Sequence, residues 1–135
     1  MTLAISTAHN NARLQGTITF ADTGVLNSRI MLYASTQPAP GAAPGDTPLV
    51  EILLAKPCGA VVADVLVLSQ AAPAGDLIAA SGAALWGRWI NGTGDIVADG
   101  TVSDAAGSGD FKLSGSTGTA IYAGGRAVLG ISTLV

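Results

Sequence analysis

The chain holds few side chains able to do chemistry. His9 is its one histidine, Cys58 its one cysteine, and Glu51 the single glutamate among nine acidic residues. A Ser-His-Asp or Cys-His set would have to recruit His9 from the first few residues, and chain ends are commonly loosely held. Paired carboxylates for acid–base work could come only from aspartates in turn-like contexts. This inventory points away from an enzyme and assigns no catalytic or cofactor-binding residue. One cysteine also excludes an internal disulfide or a multi-cysteine zinc site. Cys58 sits between Pro57 and Gly59 with only Lys56 as a basic neighbour, and it reads as an inert thiol.

Trp86 and Trp89 are the most conspicuous pair. Three apart in a strand, they point to opposite faces and cannot form one flat stacking platform. One is expected in the core and the other near the surface, so packing is favoured over carbohydrate binding. Arg88 shares a face with Trp86 and could lie across its ring. Asp95, Asp99, Asp104 and Asp110 suggest an oxygen-rich calcium site by type. Their spacing matches neither an EF-hand nor a glycine-aspartate repeat, and aspartate also serves turns through local bonds to backbone amides. The turn reading is preferred, and no metal is expected. Gly92-Thr93-Gly94 and Gly107-Ser108-Gly109 lack the lysine of a phosphate loop and precede no helix. Asn91-Gly92-Thr93 has the form of a glycosylation acceptor but reads as a turn.

What must position these residues is a chain of small side chains: 135 residues, 18 of them glycine, with 49% hydrophobic and only 11% charged. That length fits one domain, read as residues 1–135 with an N-terminal arm and short helix over 1–27 and a β-sandwich over 28–135. A net charge of −3 argues against a nucleic-acid partner. No run approaches the ~18 apolar residues that cross a bilayer, so no membrane partner is expected. The opening segment MTLAISTAHNNAR lacks the basic start and apolar stretch of a signal peptide, which predicts synthesis in the cytoplasm.

Ser6 or Thr7 can cap a helix from about Ala8 toward Phe20, with Leu14, Ile18 and Ala21 at helical spacing and Gly24 as its left-handed stop. The β-branched run Thr17-Ile18-Thr19-Phe20 equally suits an edge strand. From Ser28 onward the pattern is β. Arg29–Ala34 is a short strand leading into Ser35–Pro48, where four prolines exclude regular structure. Leu49–Ala55 follows, then a break at Lys56-Pro57-Cys58-Gly59, then Val61–Gln70, apolar in both registers except at Asp64 and so expected to be buried on both faces. Ala83–Ile90 and Asp95–Val102 flank Asn91-Gly92, a hairpin signal because both positions tolerate positive φ. Asp104–Gly109 is a polar turn before Asp110–Leu113, and Thr119–Tyr122 pairs with Arg126–Leu134 around Gly124-Gly125. The sum is a mainly β protein: an antiparallel β-sandwich of jelly-roll type with one short N-terminal helix.

The order of these features resembles small β-rich virion structural proteins of tailed bacteriophages. The matching blocks are Ser6-Thr7-Ala8 with Asn11-Ala12-Arg13-Leu14, the loop Thr36–Pro48, and Leu49–Ala55. Gly82–Arg88, Asp95–Gly100 and a glycine-bounded C-terminal strand complete the pattern. Several such proteins are capsid decoration, or cement, proteins with jelly-roll folds. The resemblance implies a non-enzymatic protein on the capsid exterior, bound to the major capsid protein and assembled as a dimer or trimer. A tail-associated subunit and a carbohydrate- or receptor-binding module are the alternatives. The expected contacts are Leu3 and Ile5 in the segment Met1–Asn11, and Pro38, Pro40, Pro44 and Pro48 in the loop. That loop is long, nearly chargeless and stiffened by proline, so ordering it at an interface costs little entropy.

Overall fold

A computed structural model describes residues 3–134 of the chain. Its helix α1 spans Thr7–Ala21, and the strand alternative at Thr17–Phe20 does not form. Ser6 is the N-cap: its Oγ accepts from the His9 amide at 3.1 Å. Leu14, Ile18 and Ala21 make the buried stripe. The hydroxyls of Thr17, Thr19 and Thr23 donate back to the carbonyls of Arg13, Gln15 and Thr19, so these β-branched residues satisfy themselves on the helix surface. Asp22 closes the helix, and Gly24 follows at φ +100°. No helix among the described residues is long and apolar enough to cross a membrane.

The remainder is mainly β. Strands β1 (Arg29–Tyr33), β2 (Val50–Val62), β3 (Val65–Gln70), β4 (Asp76–Leu77), β5 (Gly82–Ala83) and β6 (Trp86–Ile90) come first. Strands β7 (Ile96–Asp104), β8 (Phe111–Ser114), β9 (Ala120–Ile121), β10 (Arg126–Leu129) and β11 (Thr133–Leu134) follow. Nine of them join one sheet in the order β11-β3-β2-β1-β6-β7-β8-β10-β4, while β5 and β9 pair separately. Every pairing is antiparallel except β7 with β8.

The sheet curls until its far strands return to its beginning. The Gln70 side chain stitches this seam: Nε2 donates to Asp76 Oδ2 and the Ala127 carbonyl, and Oε1 accepts from the Leu129 amide. Inside the curl lie Ile30, Leu32, Ile52, Leu54, Leu66, Leu68, Trp89, Phe111 and Leu113, sealed on one side by the α1 stripe. Fully burying each such aliphatic side chain contributes about 1.5–3 kcal/mol.

Four local expectations need correction. The apolar run Val61–Gln70 is not one strand but the tip of a hairpin. Ala63 and Asp64 form its two-residue turn at φ 49° and 68°, positions where glycine or asparagine is usual. The break at Lys56–Gly59 does not end β2. The strand runs through it with a shift of register between Leu54 and Gly59, and Gly59 is obligatory because a Cβ there would strike the Val67 carbonyl. The polar stretch after β7 turns the chain back twice, so β8 starts beside Val102 in parallel. That double reversal needs Gly107 and Gly109 packed directly on Ser103. Finally, Thr119–Tyr122 does not pair with Arg126–Leu134. Strand β9 turns to β5, and β10 lies between β8 and β4.

Candidate functional site

The loop Ser35–Pro48 is anchored from the sheet beneath it. Register places Tyr33 opposite Trp86 and Arg88 opposite Asp99, all on the sheet face away from the core. The Tyr33 and Trp86 rings stack at 4.6 Å between centroids, and the Arg88 guanidinium lies 5.3 Å from the Trp86 ring centre. Arg88 Nε and Nη2 donate to the two Asp99 carboxylate oxygens at 2.7 and 2.9 Å, and Nη2 also donates to the Ala42 carbonyl at 2.7 Å. Both charged side chains are buried, 7% and 5% exposed. Hydrogen bonding to Arg88 holds the Asp99 carboxyl below the usual carboxylate range and raises the Arg88 guanidinium in turn. Burial raises the Tyr33 phenol. At the loop's ends, Trp86 Nε1 donates to Ser35 Oγ, which donates to Asp46 Oδ1.

The expected contact residues fall into two patches, not one. Pro38, Pro44 and Pro48 are half-buried and Pro40 is exposed along the loop. Leu3 and Ile5 are exposed beside α1, where they line a shallow groove with Asn10, Arg13 and Asp64. The loop leads into the start of β2 and the arm lies near its end. Thirteen residues of strand can separate them by up to about 40 Å. Met1 and Thr2 of the expected contact segment lie outside the described residues. A further apolar group has no signature in the sequence: Phe20, Val25 and Leu26 are exposed where the segment after α1 meets the β6–β7 tip. Val25 is 96% exposed. No periodicity announces it, because these residues flank a turn.

Both tryptophans are buried, at 0% and 1% exposure, so the expectation of one surface indole fails. The loop covers Trp86, while Trp89 joins the core. Neither ring offers a face to a sugar, and loss of glycan binding in a Trp89→Ala variant would report on folding. Each Asp-rich turn spends its carboxylate locally. Asp95 accepts from Thr93 Oγ1, Asp104 from the Ala106 amide, and Asp110 from the Thr101 amide and hydroxyl. Among the described residues, no three potential metal ligands come together. Asn91 is buried, so the glycosylation-like triplet is structural.

Cys58 and His9 cannot form a dyad. His9 bonds to the N-cap, whereas the Cys58 amide donates to Asp22 at the other end of α1, roughly 20 Å away by helical rise. Burial is the main cause that pushes the Cys58 thiol up to about 12. A thiol reagent at pH 8 is therefore expected to leave the native protein unlabelled and to react fully in denaturant, as intact-mass measurement would show.

No known family, curated protein or solved structure matches this chain.

Proposed function

We propose that the protein is a non-enzymatic virion structural subunit, a decoration protein that binds the major capsid protein on the capsid exterior as part of a dimer or trimer. The observation that carries this reading is the exposed apolar surface of a sparsely charged chain: Leu3, Ile5, Phe20, Val25 and Leu26. The inert thiol and the remote histidine support a non-enzymatic role. The loop Ser35–Pro48 suits a contact element because it lies over the outer face of the sheet with Ala39, Pro40 and Ala43 exposed, yet is held by Arg88 and Ser35. The jelly-roll type belongs to the same proposal. The crossover that places β6 beside β1 favours it, and the parallel β7–β8 pair is its departure from a strictly antiparallel roll.

Deleting the loop would strip Arg88 of the Ala42 carbonyl, so point charges are the cleaner probe. Glutamate at the exposed positions Ala39 and Ala43, and aspartate at Leu3 and Ile5, should leave thermal melting unchanged. Occupancy on purified particles, measured by quantitative mass spectrometry, should fall about tenfold, equivalent to roughly 1.4 kcal/mol. Attachment should survive raised salt, because apolar contacts are not screened. Particles that lack the protein, or that bind the charged variants as fully as the parent, would overturn the reading. Location on the tail would select the tail-subunit alternative.

A further inference from the structure

Strand β10 loses its neighbour partway along. It pairs with β8 at Val128–Ser114 and Leu129–Leu113, and the Gly130 amide donates to the Lys112 carbonyl in the same register. Past Ser114 the partner is gone, because Gly115, at φ +127°, turns the chain out of β8. In an antiparallel ladder alternate residues bond to alternate sides. Gly125 bonds to Ile78 on the β4 side, so residues 126, 128 and 130 aim their N–H and C=O groups at the β8 side. At Arg126 that side has no strand. A pocket of about 190 Å³ lies there instead, floored by the buried side chains of Ile78, Leu113, Ile121 and Ala127. It exceeds the ~150 Å³ apolar cavity that admits benzene, which is room for one aliphatic side chain. The Arg126 side chain alternates with that of Ala127, so it lies on the opposite, exposed face of β10. Both ion pairs among the described residues belong to other arginines, and Arg126 Nη1 reaches the Gly75 carbonyl only at 3.5 Å.

We infer that this gap docks an extended segment of another protein, added as a short antiparallel strand along β10, with an acidic residue opposite Arg126 and an apolar residue next to it in the pocket. The Arg126 N–H and C=O supply the two backbone bonds of such a pair, and strand addition draws its selectivity from pockets for alternate side chains. A residue opposite Arg126 points its side chain to the same outer face, where a carboxylate meets the unpaired guanidinium. Its neighbour turns inward onto the apolar floor. A second copy of the chain has no such segment to lend. Its two acidic residues flanked by apolar ones on both sides, in Val50-Glu51-Ile52 and Ala63-Asp64-Val65, sit in β2 against β1 and in the β2–β3 turn. The site shares no residue with the proposed capsid contacts and does not depend on that reading.

The blocked peptide acetyl-Thr-Val-Asp-Val-Thr-amide is the probe. Titrated into the ¹⁵N-labelled protein, it should move the Arg126 amide resonance saturably, and at saturation that amide should exchange with solvent about tenfold more slowly. Methylating the aspartate nitrogen, which must donate to the Arg126 carbonyl, should weaken binding about tenfold. Replacing the aspartate with lysine should weaken it about fivefold. Arg126→Glu, at an exposed position, should melt as the parent does and reverse that preference, taking the lysine peptide over the aspartate one. An unmoved Arg126 amide, equal binding of the methylated peptide, or an unchanged preference in Arg126→Glu would each overturn the assignment. Self-association of the free protein that the peptide competes away would show a second copy in the gap, and would overturn it as well.

Discussion

Replacing Arg88 with alanine is expected to lower the free energy of unfolding by about 3–5 kcal/mol, the range for breaking a buried pair by removing one partner. The loss comes chiefly from Asp99. Its carboxylate stays buried, with the Gly41 amide at 3.5 Å as the one remaining donor among the described residues. The Ala42 carbonyl loses its partner as well, so the loop Ser35–Pro48 should be cut by proteases well before global unfolding. Removing both charges together, as Arg88→Met with Asp99→Leu, should cost less than Arg88→Ala alone, because no unpaired charge is left. The effect depends on pH. Arg88 holds the folded-state pKa of Asp99 below the unfolded value of about 3.9. The pair's contribution is therefore complete above that value and is lost as pH falls through the folded pKa. Urea denaturation from pH 7 down to pH 2 should show parent and variant converging in acid. A constant gap across that range would mean that Arg88 acts through packing on Trp86 and not through Asp99.

That ion pair also shows why the loop's anchor was not legible in the sequence. The Asn91-Gly92 signal correctly announced a hairpin, but the turn is not a two-residue one. Asn91 N donates to the Asp95 carbonyl, three residues lie between, and Gly94 takes the left-handed position at φ +93°. The register then slips between Trp89 and Ile90, so that Trp89 faces Ala98 while Ile90 faces Ile96. Counting outward from Ile90 and Ile96 without that slip sets Ala98 against Arg88 and sends the Asp99 side chain to the core face. One extra residue in β7 decides whether Arg88 meets a carboxylate.

The helix was legible because its signals are local: a serine cap and a stripe at 14, 18 and 21; its stop was placed two residues late, since Asp22 and not Gly24 caps it. The existence of most strands was legible for the same reason, through short apolar runs between glycine and proline. What escaped depends on distant partners. Gln70 has no sequence signature as a seam, yet it accepts and donates across the closing edge of the sheet. Ala63-Asp64 turns the β2–β3 hairpin without glycine because the apolar strands on either side set the pairing. The pocket beside Arg126 arises where Gly115 turns β8 away from β10. Only the sheet's register shows which edge that leaves open.

Asn91 carries the second large effect. Its Oδ1 accepts from the Thr93 amide at 3.1 Å and the Asp95 amide at 2.9 Å, and it shares the one Thr93 hydroxyl proton with Asp95 Oδ2, at 2.8 and 2.9 Å. Its Nδ2 donates to the Phe20 carbonyl at 3.2 Å, which ties the β6–β7 tip to the C-terminal end of α1. Gly92 completes the junction by donating to the Thr23 carbonyl, and a Cβ at Gly92 would strike the Leu26 carbonyl. Asn91→Ala removes the bonds to the Thr93 amide, the Asp95 amide and the Phe20 carbonyl, while the Thr93 hydroxyl keeps Asp95 as its acceptor; at about 1–3 kcal/mol for each orphaned group that water cannot reach, a total near 3 kcal/mol is expected. Asn91→Asp separates donor from acceptor. It keeps Oδ1 but loses the bond to Phe20, and it sets a carboxylate against the negative end of the helix dipole and beside Asp95. Burial and these neighbours should lift the new carboxyl's folded pKa above the unfolded value of about 3.9. The folded state then binds the proton more readily, so this variant should gain stability as pH falls through that pKa, whereas Asn91→Ala should show no such gain. Denaturation of both variants between pH 8 and pH 4 checks this. Parallel curves would mean that the amide oxygen alone holds the junction and that the link to Phe20 contributes nothing.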